Sequence, residues 1–226
     1  MLDKFVILVG VFHINRITEF FKSFYDNPPG VDYDIYFIHN CYEVDNVVNT
    51  YTRTNEEIDL INKFLLEQKE LHPEINIVNR ANIGRDMGAL WHGYNLVKGN
   101  YKYYFFINER VRIKIPNWLK LFQDAYGEDP KLGALTPQLC GGHKYPWCLR
   151  CLFWSQTNES IKDMDWWEPR NRQDAHIQEM EMVYPHVSKL GLRCKQLGNG
   201  TNIMNHFLDN GEEDFRYIVN NFEFEK

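Results

Sequence analysis

The sequence predicts the α/β class: a single domain built on a mostly parallel sheet with helices on both faces. Three observations carry this expectation. Apolar, β-branched or aromatic runs short enough for buried strands recur along the chain, the first of them are followed by segments of helical periodicity, and no repeat or low-complexity linker divides the 226 residues. Strands alternating with helices imply right-handed β-α-β units and a parallel sheet covered on both sides.

Phe5 to Phe12 (FVILVGVF) reads as a strand covered on both faces, and Asn15 can cap a helix carrying Ile17, Phe20, Phe21 and Phe24. That helix should end before Asn27, Pro28, Pro29 and Gly30. Asp34 to His39 is a second strand. Thr54 with Glu57 forms a capping box for a helix whose Ile58, Ile61 and Leu65 share one face, stopped by Pro73. Ile75 to Val78 is a third strand, Arg85 to Val97 a helix with Met87, Leu90, Tyr94 and Val97 inward, and Tyr103 to Ile107 a fourth strand. The second half predicts a helix from Asn117 to Ala125 and strands near Gly133 to Leu139 and Cys151 to Ser155. An aromatic, polar segment from Asp163 to Arg172 then leads to a helix from about Asp174, which Pro185 kinks or restarts, and Arg193 to Leu197 is a last strand.

Composition excludes several classes. A net charge of −6 and a pI near 5.8 argue against a general nucleic-acid binder, whose affinity comes from clustered Lys and Arg. No apolar run approaches the roughly 20 residues of a transmembrane helix, and the first residues lack the pattern of a secretory signal, so the expected location is cytoplasmic. Five cysteines, an odd number, fit free thiols in a reducing compartment. Cys148 and Cys151, with Cys140 and His143 upstream, could form a zinc site, but the second ligand pair is loose and buried thiols are the simpler reading.

The chemistry concentrates at four places. Val11 to Arg16, His39 to Tyr42, Asn79 to Asp86 and Asn108 to Arg112 each follow one of the first four strands, and ligands of open α/β sheets bind outside those strand ends. In Asn79 to Ala89 (NRANIGRDMGA), Gly84 permits a close turn while Arg85 and Asp86 open a helix, which suits a phosphorylated ligand. A loop ending in glycine, with Asp86 serving only the helix dipole, explains the same residues. Asn108 and Glu109 offer oxygen ligands for Mg2+ or Mn2+ bridging a diphosphate, unless Glu109 simply pairs with Arg110 or Arg112.

Taken in series, V-F-H-I-N-R at 11 to 16, H-N-C at 39 to 41, N-R-A-N-I-G-R-D at 79 to 86 and Y-Y-F-F-I-N-E-R at 103 to 110 resemble the nucleotide-sugar-binding half of GT-A glycosyltransferases, especially family 2. The N-x-G-R-D form, Asn82, Gly84, Arg85 and Asp86, is similar to the rhamnan-synthesis type of bacterial polysaccharide enzymes. Two positions depart from that pattern. His39 and Asn40 stand where the family usually has acidic residues holding uracil and ribose, and Asn108, Glu109 and Arg110 stand where it has Asp-x-Asp. Arg85, Arg110 and Arg112 would then share in neutralising the diphosphate.

The resemblance implies a donor half, residues 1–140, in which Val11, Phe12, His13, Arg16, Asn40, Asn82, Gly84, Arg85, Asp86 and Asn108 hold a UDP- or dTDP-linked sugar. It implies Mn2+ or Mg2+ on Glu109, with His206 as a further ligand, and an acceptor half, residues 141–226. There Glu179, or else Asp174, would be the base of an inverting transfer, and Trp166 and Trp167 would stack on a glycan or glycoprotein acceptor. Polysaccharide biosynthesis or protein glycosylation is the expected pathway. A catalytically weak nucleotide- or carbohydrate-binding module of the same fold is the alternative, and an unrelated α/β nucleotide hydrolase a more distant one.

Overall fold

The computed structural model describes residues 1–42, 53–137, 153–197 and 204–206. Its elements are β1 (Leu2–Val11), α1 (Ile14–Asp26), β2 (Tyr33–Tyr42), α2 (Asn55–Leu71), β3 (Ile75–Ala81), α3 (Arg85–Val97), β4 (Tyr101–Asn108), β5 (Val111–Ile113), α4 (Trp118–Glu128), β6 (Leu132–Thr136), β7 (Phe153–Thr157), α5 (Asn158–Ile161), α6 (Arg172–Glu181), α7 (Val183–Lys189), β8 (Arg193–Gln196) and β9 (Met204–His206). Seven strands form one sheet in the order β3-β2-β1-β4-β7-β6-β8, and β5 pairs with β9 in a small second sheet. Within the large sheet β7 alone runs against its neighbours, so the sheet is mostly parallel as the alternating pattern predicts.

Period-two alternation sorts the central strands between two cores. Phe5, Ile7 and Val9 of β1 and Tyr103, Phe105 and Ile107 of β4 face α1, α2 and α4, joined by Phe20, Leu65 and Trp118. Val6 and Leu8 of β1 and Tyr104 and Phe106 of β4 face α3 and the second-half helices, joined by Leu90, Trp154 and Trp166. Both faces of β1 and β4 are therefore dry, which is why their sequences read as unbroken apolar runs.

Several boundaries differ from expectation for local reasons. His13, in extended backbone, caps α1 in place of Asn15, because β1 ends at Val11 and the turn is correspondingly short. Asn171, whose side chain accepts from the Asp174 N–H, starts α6 ahead of the expected Asp174. Pro185 sits in the first turn of α7, where its missing N–H costs no helical bond, so the chain restarts there. The capping box is realised: the Glu57 N–H donates to Thr54 Oγ1 at 3.2 Å and the Thr54 N–H to Glu57 Oε2 at 2.8 Å. Thr54→Ala should cost about 1 kcal/mol, read as a lower urea midpoint at unchanged slope.

Because β7 is reversed, Thr157 lies opposite Tyr103, at the amino-terminal edge of the parallel strands. From there the chain climbs α3 in the direction opposite to that helix. The Tyr94 hydroxyl donates to the Ile161 carbonyl (3.2 Å), the Trp91 indole N–H to the Trp166 carbonyl (2.9 Å), and Arg80 Nη2 to Glu168 Oε1 (3.3 Å). This seam ends at the carboxyl edge of the sheet, where ligands of such sheets bind.

Candidate functional site

β1 has β2 on one side and β4 on the other, and α1 and α3 pack on opposite faces of the sheet. The chain thus opens a crevice at the carboxyl end of β1, around Gly10. Three elements meet there. The Glu109 N–H, at the end of β4, donates to the Gly10 carbonyl at 3.3 Å. Asp86, in the first turn of α3, holds Oδ1 3.8 Å from where a β-carbon on Gly10 would stand. Arg16, in the first turn of α1, brings Nη1 to 3.9 Å from Glu109 Oε1.

Glu109 is buried, and burial together with the neighbouring Asp86 pushes its carboxyl up to about 7, against the pull of Arg16 and Arg110. Arg112 Nη1 donates to the Glu109 and Val111 carbonyls (2.8 and 3.0 Å), and the Glu109 charge also acts on its guanidinium. Asn108 Oδ1 accepts the Arg110 N–H at 3.0 Å and closes the turn into β5. Among the described residues, Asn108 Nδ2 and Glu109 Oε2 are buried without a hydrogen-bond partner. These two atoms leave a donor and an acceptor on consecutive residues open to a partner from outside the chain.

The loop between β3 and α3 is the most constrained part of the site. Gly84 has φ +69 and Arg85 φ +56, so two consecutive residues take left-handed backbone, and at Arg85 no glycine relieves it. A β-carbon on Gly84 would lie 2.4 Å from the Pro169 carbonyl oxygen. Asn40 braces the loop from β2, donating to the Arg85 carbonyl (3.4 Å) and accepting from Arg80 Nη1 (2.7 Å). Asn82 is buried beside it, its N–H on the Tyr42 carbonyl at 2.6 Å.

At the end of β2, His39 is buried and its pKa falls to about 4, through burial and the nearby Arg53. The neutral ring donates from Nδ1 to Asn62 Oδ1 (2.9 Å) and accepts at Nε2 from Arg53 Nη1 (3.3 Å). Arg53 also donates to the Phe12 carbonyl (3.2 Å) and lies over the Phe12 ring at 4.1 Å; that ring meets the edge of His13 at 4.7 Å. Val11 is wholly in the core, so only its backbone can face a ligand.

In the second half, Asp174 spends a carboxylate oxygen on the Arg170 N–H (2.9 Å), a helix-start contact. Glu179 is half-buried at the end of the second turn of α6. Trp166 is no solvent-facing platform: its ring stacks on Tyr94 and its indole N–H donates to the buried Gln178 (3.2 Å). Trp167 is 40% exposed, its carbonyl fixed by Gln178 Nε2 at 2.7 Å. It lines a groove of about 310 Å³ with Asp165, Ile177, Glu181 and His186. His206 pairs through its backbone with Val111, and its side chain lies outside the described residues, as do Cys140, His143, Cys148 and Cys151. Among the described residues no three His, Cys, Asp or Glu side chains cluster as metal ligands.

No protein-family model and no curated protein sequence matches the chain. Solved structures do. GalNAc-T7 with UDP, GalNAc and Mn2+ superposes with a TM-score of 0.60 at 10% identity, over 96% of this chain and 45% of that one. The fold is GT-A. A mannosyltransferase from Pyrobaculum calidifontis, in complex with GDP-Man and Mn2+, gives a TM-score of 0.50 at 12% identity over 85% of this chain and 54% of its own. The chain spans about half the length of these two structures.

On this GT-A sheet, motif spacing missed one meeting of residues and left two arginines without a role. Asp86 and Glu109 meet although α3 separates them in sequence, and only the strand order brings them together. Arg80 stands inside the N-R-A-N segment as its buried brace, and Arg53 beside His39 supplies a cation at the far end of the crevice. A cation one residue before the cap of α2 was the available signal for Arg53.

Proposed function

We propose that this chain is a GT-A glycosyltransferase moving a sugar from a nucleotide-diphospho-sugar to a glycan acceptor, with residues 1–140 holding the donor and 141–226 the acceptor. The observation that carries the reading is the pair of orphaned polar atoms, Asn108 Nδ2 and Glu109 Oε2, beside Asp86 and Arg16 at the switch point of the sheet. The carboxylates of Glu109 and Asp86 are hard oxygen donors that fit Mn2+ or Mg2+, with substrate oxygens completing the shell; a bound ion neutralises charge on the leaving diphosphate.

Asn82, Arg85 and the N-terminus of α3 face the phosphates, as the rhamnan-type N-x-G-R-D segment suggests, and Arg16 adds charge from α1. The nucleoside of a UDP- or dTDP-linked sugar lies toward Phe12, His13 and Asn40. Trp167 offers the acceptor an apolar face, and Glu179 takes the proton of the acceptor hydroxyl in an inverting transfer. The reaction is cytoplasmic, serving polysaccharide or glycoprotein assembly. A catalytically weak binding module is the second reading, supported by Arg16 beside the carboxylate that a metal would need.

Calorimetric titration of UDP, dTDP and GDP with and without Mn2+, followed by assays of sugar-nucleotide hydrolysis, decides between them. Metal-dependent binding with slow hydrolysis is the expected result. Binding without turnover favours the module, and no nucleotide binding at all sinks both.

A further inference from the structure

We infer that Arg80 is a positioning residue of the donor loop, and that its ion pair with Glu168 couples this loop to the segment that climbs α3. The guanidinium is buried, and each of its contacts reaches a different piece of the site. Nη1 donates to Asn40 Oδ1 on β2 (2.7 Å) and to the Ile83 carbonyl in the loop (3.0 Å), while Nη2 donates to Glu168 Oε1 (3.3 Å). Asn40 in turn donates to the Arg85 carbonyl, so one planar fork fixes both ends of the left-handed turn at Gly84 and Arg85.

The geometry admits no simple replacement. Nη1 already lies 3.1 Å from where a β-carbon on Gly88 would stand, so the space under the loop is filled. Lysine would carry the charge without the fork and could not serve Asn40, Ile83 and Glu168 together. The counter-ion comes from elsewhere in the chain. Glu168 is 43% exposed and belongs to the seam already fixed at Ile161 by Tyr94 and at Trp166 by Trp91. Pro169, next along, packs on Gly84. Of these seam contacts, that of Arg80 with Glu168 alone joins charged side chains, and it sits at the crevice. Ordering the loop therefore orders residues 161–170, and ordering the segment orders the loop.

That the loop binds a nucleotide rests on the proposed function; the coupling itself does not. Hydrogen exchange on the full chain tests the coupling first. Glu168→Gln removes a half-exposed charge and keeps its shape, and Arg80→Lys keeps the charge and loses the fork. Both should speed exchange in residues 82–86 and 161–170 by about fivefold while β1 and β4 stay protected, and Glu168→Asp should recover part of that protection. In steady-state assays with a sugar conjugate of whichever nucleotide binds with Mn2+, Glu168→Gln should raise donor KM about tenfold with kcat within about twofold. A merely structural residue would instead lower the active fraction at unchanged KM. Loosening of 161–170 with 82–86 unchanged, or an unchanged KM, overturns the inference. If the parent chain binds no nucleotide, the donor reading fails and the exchange data still decide the coupling.

Discussion

Glu109→Gln is expected to melt at a higher temperature than the parent chain at pH 8 and, in the same protein, to lose metal-dependent nucleotide binding. Burial and Asp86 raise the folded carboxyl to about 7 from an ordinary value of 4.5. Between those values the folded chain keeps a proton that the unfolded chain has released, so unfolding releases it. Stability from this group therefore falls as pH rises through that window and stays low above it. The cost at pH 8 is on the order of 3 kcal/mol. Glutamine keeps the shape and never ionises, so the variant's advantage should grow between pH 5 and pH 8 and vanish below 4.5. Thermal midpoints across that range check the stability half, and calorimetry with Mn2+ checks the binding half. Parallel midpoint curves for the two proteins would remove Glu109 as a buried ionising group, and unchanged nucleotide affinity would remove it from the site. A residue that destabilises its own fold is what a binding site requires and a core does not.

Gly88→Ala should be the most damaging small substitution in α3. The new methyl would sit 1.9 Å from the Ile83 carbonyl oxygen, a backbone atom that also accepts from Arg80. Either the helix or the loop between β3 and α3 must move, and the Arg80 brace resists both. A loss of about 3 kcal/mol is expected, seen as a lower urea midpoint. Gly93→Ala is the control, since it gains the same helix propensity of about 1 kcal/mol. At Gly93 the nearest atoms to the methyl belong to the Ile38 and Leu8 side chains, at 3.0 Å and beyond, and not to backbone. Equal losses at the two glycines would mean that the contact with Ile83 relaxes freely.

The parts of this fold that were legible are those whose physics is local. β1 and β4 are dry on both faces and so are apolar throughout; Thr54 and Glu57 satisfy backbone groups within one turn; Gly84 takes the left-handed cap position just before α3. The direction of β7 was not legible, since a buried strand has the same composition either way up. β5 and β9, each three residues long, carry too little periodicity to register. Trp166 was misplaced because Asp163, Asp165 and Glu168 make its segment look solvated, while the partner of its indole, Gln178, lies on another helix. The four strand-end segments were legible as a crevice because topology requires it. The meeting of Asp86 with Glu109 was not, because it depends on which strand lies beside β1.

The reversal of β7 also sets an order of events during synthesis. β1 to β4, with the helices between them, are made first and pair through short crossovers, so the crevice floor can form while the rest of the chain is unfinished. Residues 158–170 start at the wrong edge of the sheet and must travel the length of α3 to reach it. On a growing chain the crevice at the end of β1 is thus first an open trough, and it gains its wall only when Glu168 arrives at Arg80.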